Sequence, residues 1–332
     1  MQSPYRNVQS PKCHGPRVLK GYTLNGYEII VLENELLRVV VNVGRGAMIP
    51  EFLYKPADLD VLWKNARGLR PHDTYTPSSY EPAPLRDHHP GGWYECFPSG
   101  STPVTQHGAH IGFHGEIWGL PFELESATED EDQCSAVMTA FTHRAPWKLT
   151  KKYTLKKNDP TLYVEEVATN LATIDLAVMW GQHPIFGAPF LDEHCYIEMP
   201  ATSYFDMGDK PMARRRWPTA PDGSDLSKVR APDSKRSKMA FVTDLTEGKY
   251  RVVSPTWKLA FELCWDAAQF PYCWVYESCG ETNAPWWGHG YLLAVEPFTG
   301  LPKAIEEGHG VINIKAGQSE TVRMQARIVA LK

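Results

Sequence analysis

The sequence predicts an all-β protein, built as a large antiparallel sandwich or barrel. Three observations point there. Apolar and polar residues alternate with a period of two over several long stretches, and successive side chains on a strand point to opposite faces. No stretch of 12 residues carries a convincing helical stripe. The chain holds 25 Gly and 27 Pro among its 332 residues, punctuation that suits many short strands joined by turns.

Taken in chain order, 27–32, 35–43 and 47–54 read as opening strands, followed by 134–142. In 147–155, Trp147, Leu149, Lys151, Tyr153 and Leu155 share one face, opposite Lys148, Thr150, Lys152 and Thr154. Residues 161–169 come next, then 174–180, where Ile174, Leu176, Val178 and Trp180 align. Short strands are expected at 195–199 and 249–253. In 257–265, Trp257, Leu259, Phe261, Leu263 and Trp265 alternate with Lys258, Ala260, Glu262 and Cys264. Strands at 272–277, 290–296 and 311–314 precede the last, 321–330, where Val322, Met324, Ala326 and Ile328 share a face. Two stretches break the pattern. Residues 65–110 are rich in Pro and His, and 206–238 carry Arg214, Arg215 and Arg216 among Pro, Asp and Lys. Both read as long loops, which inside a compact domain are often functional. The strand pattern continues on either side of each. The whole of 1–332 therefore reads as one domain, with 1–16 as an extended N-terminal arm.

Composition narrows the function. Apolar residues make up 42% and charged residues 22%, the balance of an ordinary globular protein. A net charge of −5 gives no pull toward nucleic acid. No apolar run approaches the roughly 18 residues of a membrane span. The opening MQSPYRNVQSPKCHGPR has no apolar signal core, so a cytoplasmic protein is expected, as monomer or homodimer. Seven cysteines without a CxxC pair read as reduced, mostly buried thiols. The 11 Trp, 15 Tyr and 12 Phe suit a β core, and also the apolar C–H faces of carbohydrate.

Three places carry candidate chemistry. His107, His110 and His114 are spaced H-x2-H-x3-H, with Glu116 nearby. A metal needs such imidazoles to converge on one ion, usually with a carboxylate. Gly108 and Gly112 make the segment irregular, and spacing alone leaves open a metal site, scattered loop histidines or a non-metal catalytic histidine. His183 sits in a Gly/Pro turn three residues past an alternating strand, where loops place side chains at the mouth of a sheet. The bland alternative is a surface turn histidine. Glu296 ends the apolar run GYLLAVE. A carboxylate there is costly to bury unless hydrogen-bonded or functional, and desolvation would make it a stronger base; the alternative is a solvent-facing strand end. No GxSxG, HExxH, P-loop or helix-opening GxGxxG is present. Arg214–Arg216 reads as a solvated loop or as a grip for an anionic substrate.

These sites, in this order, resemble the aldose 1-epimerase (galactose mutarotase) family. GRGAMIPEFLYKPADLDVLW at 44–63 is similar to its opening hairpin, and GGWYECFPSG at 91–100 to the Gly-Gly…Phe-Pro segment of its hexose-phosphate branch. FHGEIWGLPFEL at 113–124 resembles its His-Gly strand and places His114. GQHPIFG at 181–187 resembles its His-Pro-Tyr-Phe turn and places His183, with Ile185 where Tyr is usual. AVEPFTGLP at 294–302 resembles its Glu-Pro strand and places Glu296. The likeness spans roughly 35–330.

The resemblance implies an antiparallel β supersandwich that binds a sugar across a concave sheet. It implies Glu296 as base, His183 as acid and His114 steadying the ring oxygen or a hydroxyl, with no metal or organic cofactor. Asp244, or alternatively Asp233, would contact sugar hydroxyls. This chain departs from the family pattern in two places. His89-Pro90 stand before Gly91-Gly92, where an arginine is frequent. Glu116 and Trp118 stand where the hexose-phosphate branch carries Phe and Arg, which argues against a phosphorylated sugar unless Arg214–Arg216 compensates. Trp93, Glu95, Glu116 and Trp118 are expected as sugar contacts of this chain. The competing readings are a non-catalytic carbohydrate-binding protein and a metal-dependent sugar isomerase using the 107–114 histidines.

Overall fold

A computed structural model of the chain describes residues 15–71, 83–100, 102–208, 212–283 and 285–331. The expected N-terminal arm lies mostly outside these residues. Two sheets carry most of the chain. The larger has 12 strands. Its spatial order is Arg17–Leu24, Tyr27–Glu33, Leu37–Asn42, Met48–Tyr54, Trp93–Cys96, Gly181–Phe186, Tyr291–Phe298, Tyr272–Cys279, Arg236–Leu245, Ala201–Asp206 and Arg214–Arg216, with Leu59–Asp60 added to Met48–Tyr54. The second has eight strands, ordered Tyr196–Glu198, Lys249–Ser254, Leu259–Trp265, Ser319–Ala330, Thr161–Asn170, Trp147–Lys156, Gln133–Phe141 and Glu123–Glu129. Every named ladder is antiparallel. Among the described residues, α-helix is confined to Ala83–His88 and Ala304–Glu307. No helix among them is long and apolar enough to cross a membrane.

The two sheets differ in what covers them. The main core, with Phe52, Trp147, Trp180, Phe186, Phe261 and Val295, lies between them. The outer face of the eight-stranded sheet meets solvent, so Ser319–Ala330 alternates buried and exposed over most of its length. The large sheet is covered again at its centre by a second apolar cluster, with Met48, Trp63, Tyr94, Ile185, Trp274 and Phe298. Gly181–Phe186 is therefore buried at every position, and Tyr291–Phe298 at all but the first. Double coverage removes the alternation by which strands are read.

Several boundaries need correction. The expected turn at His183 is a strand; Pro184 reads as a breaker because it cannot donate to a ladder. Strand 174–180 shortens to Leu176–Val178, paired with Ile312–Ile314. Strand 257–265 begins at Leu259, because Lys258 turns at φ 53. The 65–110 loop contains the Trp93–Cys96 strand and the hairpin Val104–Gln106/Ala109–Ile111, and the 206–238 loop contains Arg214–Arg216 as an edge strand. The six described cysteines are free. Burial pushes the Cys96 and Cys273 thiols well up. Cys13 lies outside the described residues.

A charged network crosses the core between the sheets. Lys151 Nζ lies 2.6 Å from Glu95 Oε2 and 3.6 Å from Glu166 Oε1. Gln182 Nε2 donates to Glu166 Oε2 at 2.7 Å, and Gln182 Oε1 accepts from Trp93 Nε1 at 2.8 Å. Trp180 Nε1 donates to Glu95 Oε1. All these groups are buried. Burial, helped by the Glu95 charge and opposed by Lys151, pushes the Glu166 carboxyl up to about 8. Burial alone would lower the Lys151 pKa, but Glu95 and its other neighbours outweigh that and raise it. Two carboxylates thus face one ammonium, and a proton on Glu166 balances the charge.

The folded state holds this proton more tightly than the unfolded chain. The Glu166 contribution to stability is therefore full below about 4.5, the ordinary value, and is lost as the pH rises through about 8. Urea unfolding between pH 5 and 9 should show stability falling with pH more steeply in wild type than in Glu166→Gln. Lys151→Met leaves two buried carboxylates without their cation and is expected to cost about 3–5 kcal/mol in the same measurement.

Candidate active site

The middle strands of the large sheet position the candidate residues. His183 lies opposite Tyr94 on one neighbouring strand. On the other side, the pairs Gly181↔Phe298 and Ile185↔Ala294 bring Glu296 opposite His183. Glu296 in turn faces Trp274, and Trp274 faces Phe241. Tyr94, His183, Glu296, Trp274 and Phe241 thus form one row across five adjacent strands. Their sequence neighbours, including Glu95, Gln182 and Val295, point the other way, into the core between the sheets.

Within the row, His183 Nε2 lies 3.3 Å from Glu296 Oε2. The Tyr94 ring stacks on His183 with centroids 4.5 Å apart, and its hydroxyl shares a 2.8 Å hydrogen bond with His114 Nδ1. The His114 ring is 5.3 Å from His183 and stacks on Phe113 at 3.9 Å. His114 has φ 62, in the left-handed region that side chains rarely enter, though His is among the exceptions. Its N–H donates to the Gly100 carbonyl at 2.7 Å. Gly115 follows at φ 76, where an added Cβ would lie 2.2 Å from the Phe97 oxygen. Only glycine lets the chain turn here and return His114 to the row.

Burial shapes the electrostatics. It holds the Glu296 carboxyl well above the ordinary 4.5. It holds the His183 imidazole well below 6.5, reinforced by His114 and His89. The His89 ring meets Tyr94 edge-on at 4.7 Å, and burial with the Arg45 charge pushes it down to about 3. Carboxyl and imidazole thus shift in opposite senses from ordinary values that begin with the imidazole higher. Both shifts favour the neutral pair, a protonated carboxyl beside an uncharged imidazole, across the 3.3 Å contact. His183 Nδ1 is buried with no hydrogen-bond partner among the described residues, an unspent polar atom beside the pair.

The structure brings Glu296, His183 and His114 together. Trp93 and Glu95 go elsewhere: they point into the core, Trp93 to Gln182 and Glu95 to Lys151. The period of two separates them from Tyr94, which takes the place expected for them. Glu116 accepts the backbone N–H groups of His143 and Arg144 at 3.1–3.2 Å and braces a neighbouring turn. Trp118 packs against the apolar cluster covering the site, with the Arg45 guanidinium 5.2 Å above its ring. Asp244 is ion-paired with Arg214 and lies two strands from Glu296 and three residues past its row, roughly 14 Å away by strand spacing and rise. Asp233 sits in the 3-10 turn Pro232–Ser234. Arg214–Arg216 forms the sheet edge, four strands from Glu296, and does not supply the missing arginine. His107 and His110 are exposed on the 104–111 hairpin, whose turn uses φ 48 at His107 and φ 84 at Gly108. No metal-holding cluster of His, Cys, Asp or Glu occurs among the described residues. Tyr94, Trp274 and Phe241 were not singled out from sequence; alternation within WYEC was the signal for the first.

The row depends on one close contact. At Gly181 an added Cβ would fall 2.0 Å from the Phe298 ring, which itself stacks on Trp274 at 3.9 Å. Gly181→Ala is expected to lower stability by about 1–3 kcal/mol, as overpacking does. Gly119→Ala, where nothing lies within 4 Å, is the control and should be near neutral in the same thermal melts.

The fold is the antiparallel β sandwich of galactose mutarotase-like proteins, with the polar row on its large sheet. More narrowly, the chain belongs to the family described as a domain of unknown function, DUF4432, whose model matches residues 25–328. Comparison with the curated proteins gives no match. Among solved structures, a galactose mutarotase-like protein from Clostridium acetobutylicum is similar with a TM-score of 0.69 at 12% identity, over 96% of this chain and 99% of that one. The Slr1438 protein from Synechocystis sp. PCC 6803 has a TM-score of 0.70 at 16% identity, over 94% and 100%. A galactose mutarotase-like protein from Lactobacillus casei has a TM-score of 0.66 at 17% identity, over 91% and 100%. At such identities the likeness is one of fold.

Proposed function

We propose that the protein is an aldose 1-epimerase, interconverting the anomers of an aldose or aldose derivative. The observation that carries this reading is the buried His183–Glu296 contact of 3.3 Å, held by adjacent strands. Glu296 as carboxylate takes the proton of the anomeric hydroxyl. His183 as imidazolium gives a proton to the ring oxygen. The bond from the anomeric carbon to the ring oxygen breaks, and the open-chain aldehyde forms. After rotation of the aldehyde, the former ring hydroxyl attacks the other face. That hydroxyl returns its proton to His183, and Glu296 returns a proton to the new anomeric oxygen. Every proton is regained, so the cycle consumes nothing.

Closure reverses the direction of both transfers. The opposite shifts favour the neutral pair, so ring opening begins with the Glu296 proton passing to His183 across their 3.3 Å contact, which gives the carboxylate and imidazolium that the first step uses. In this reading His114 bonds the ring oxygen or a neighbouring hydroxyl, and its 2.8 Å hydrogen bond to the Tyr94 hydroxyl supports a fixed ring orientation.

Anomer exchange followed by saturation-transfer NMR tests the mechanism. Glu296→Gln keeps the shape but removes the proton acceptor, and the rate should fall about 100- to 10,000-fold with a much smaller change in sugar affinity. His183→Asn should fall comparably, and His114→Asn should lose both rate and affinity. A folded Glu296→Gln variant with near wild-type exchange would overturn the mechanism.

A further inference from the structure

Three histidines contact Tyr94, and the proposed chemistry uses two of them. His183 stacks on its ring and His114 bonds its hydroxyl. The third, His89, meets the ring in a T-shaped contact at 4.7 Å and lies 6.3 Å from the Trp63 ring. His89 stands just ahead of the Trp93–Cys96 strand that carries Tyr94, and hydrogen bonds pin it there. Its carbonyl accepts from Asn65 Nδ2 at 2.8 Å, and its Nδ1 accepts the Gly91 backbone N–H at 2.8 Å. A backbone amide only donates, so Nδ1 carries no proton. The ring proton of His89 therefore sits on Nε2. The same bond forbids the imidazolium, in which both nitrogens are donors. Burial and the Arg45 charge act in the same direction and push His89 down to about 3. His89 is thus an uncharged donor held in one tautomer.

That donor is unspent. His89 Nε2 is buried and has no hydrogen-bond partner among the described residues. Buried polar atoms are nearly always paired, so an orphan calls for an explanation. A trapped water needs two to four polar partners of its own. The rings beside His89 supply few, since the Tyr94 hydroxyl is already engaged with His114. His183 Nδ1 is orphaned in the same way, on another ring that touches Tyr94. His89 lies close enough to His183 to act on its charge. Two buried nitrogens without partners, gathered around one aromatic ring, match a pocket whose few polar groups are kept for a ligand. A sugar suits such a place, because its C–H face meets a ring while its oxygens accept from the nitrogens.

We infer that His89 binds the substrate, its Nε2–H donating to an oxygen of the sugar held at the His183–Glu296 pair. That the ligand is a sugar rests on the epimerase reading, whereas the fixed donor does not. Two substitutions separate this role from bracing of the turn. His89→Asn keeps an acceptor for the Gly91 N–H but ends short of Nε2. His89→Gln reaches the Nε2 position with an amide donor but gives up the Nδ1 acceptor. Anomer exchange by saturation-transfer NMR should be measured with glucose, galactose, mannose, xylose and glucuronate. His89→Asn is expected to melt close to wild type and to raise KM about three- to tenfold, with a much smaller change in kcat, and His89→Gln to recover most of that KM. Imidazole nitrogen NMR of the wild type, with His89→Asn assigning the signal, should show a protonated Nε2 whose N–H resonance moves when the exchanging sugar is added. A folded His89→Asn variant with wild-type KM, or a resonance indifferent to a sugar that exchanges, would overturn the inference. If a sugar moves the resonance but none exchanges anomers, the His89 contact stands and the epimerase reading falls. If no sugar does either, both fall.

Discussion

The central strands of the large sheet are dry on both faces, and the rest of the structure follows from that constraint. A buried polar group is costly unless it finds a partner. Glu95 and Gln182 therefore join Lys151 and Glu166 on the face toward the second sheet. On the other face, Glu296 finds His183, and Tyr94 finds His114. The two polar sets lie back to back on the same short strands. The inner set is internally balanced in charge. The outer one keeps a nitrogen, His183 Nδ1, with no hydrogen-bond partner among the described residues.

This arrangement divides the work between sheet and loops. Backbone ladders fix the spacing of His183 and Glu296, while loops supply what surrounds them: His114 after the 104–111 hairpin, Trp118 in the Ile117–Gly119 turn and Trp286 from 280–290. Ladders depend weakly on side-chain identity, and loops vary freely. Fold similarity at a TM-score of 0.69 with only 12% identity is what such a division allows.

Legibility in the sequence followed the same physics. The clearest alternations, at 147–155, 257–265 and 321–330, all belong to the eight-stranded sheet. Its outer face meets solvent along 321–330 and in part along 147–155. Leu259–Trp265 is buried at all but Cys264 and shows its period because Glu262 and Cys264 alternate with large apolar side chains. The strands that carry the site have no wet face. Gly181–Phe186 shows no period and contains Pro184, so it reads as a turn. Glu296 was legible because a carboxylate in an apolar run stands out on its own. His114 and His183 were placed by resemblance and by position. Trp93 and Glu95 are side chains that suit a sugar contact, but their parity sends them into the core. Nothing in the sequence local to Asp244 reveals that Arg214, 30 residues earlier, claims it.

Gly181 has a consequence for how the chain finds this state. Sheets tolerate slips of one residue unless something opposes them, and each slip turns every side chain to the opposite face. A slipped Gly181–Phe186 strand would put His183 among the Lys151 carboxylates and Gln182 beside Glu296. It would also bring Trp180 or Gln182 against the Phe298 ring, where only a residue without a side chain fits. The glycine acts as a lock with a single keyway: when the ring seats, the histidine and the glutamate are already aligned.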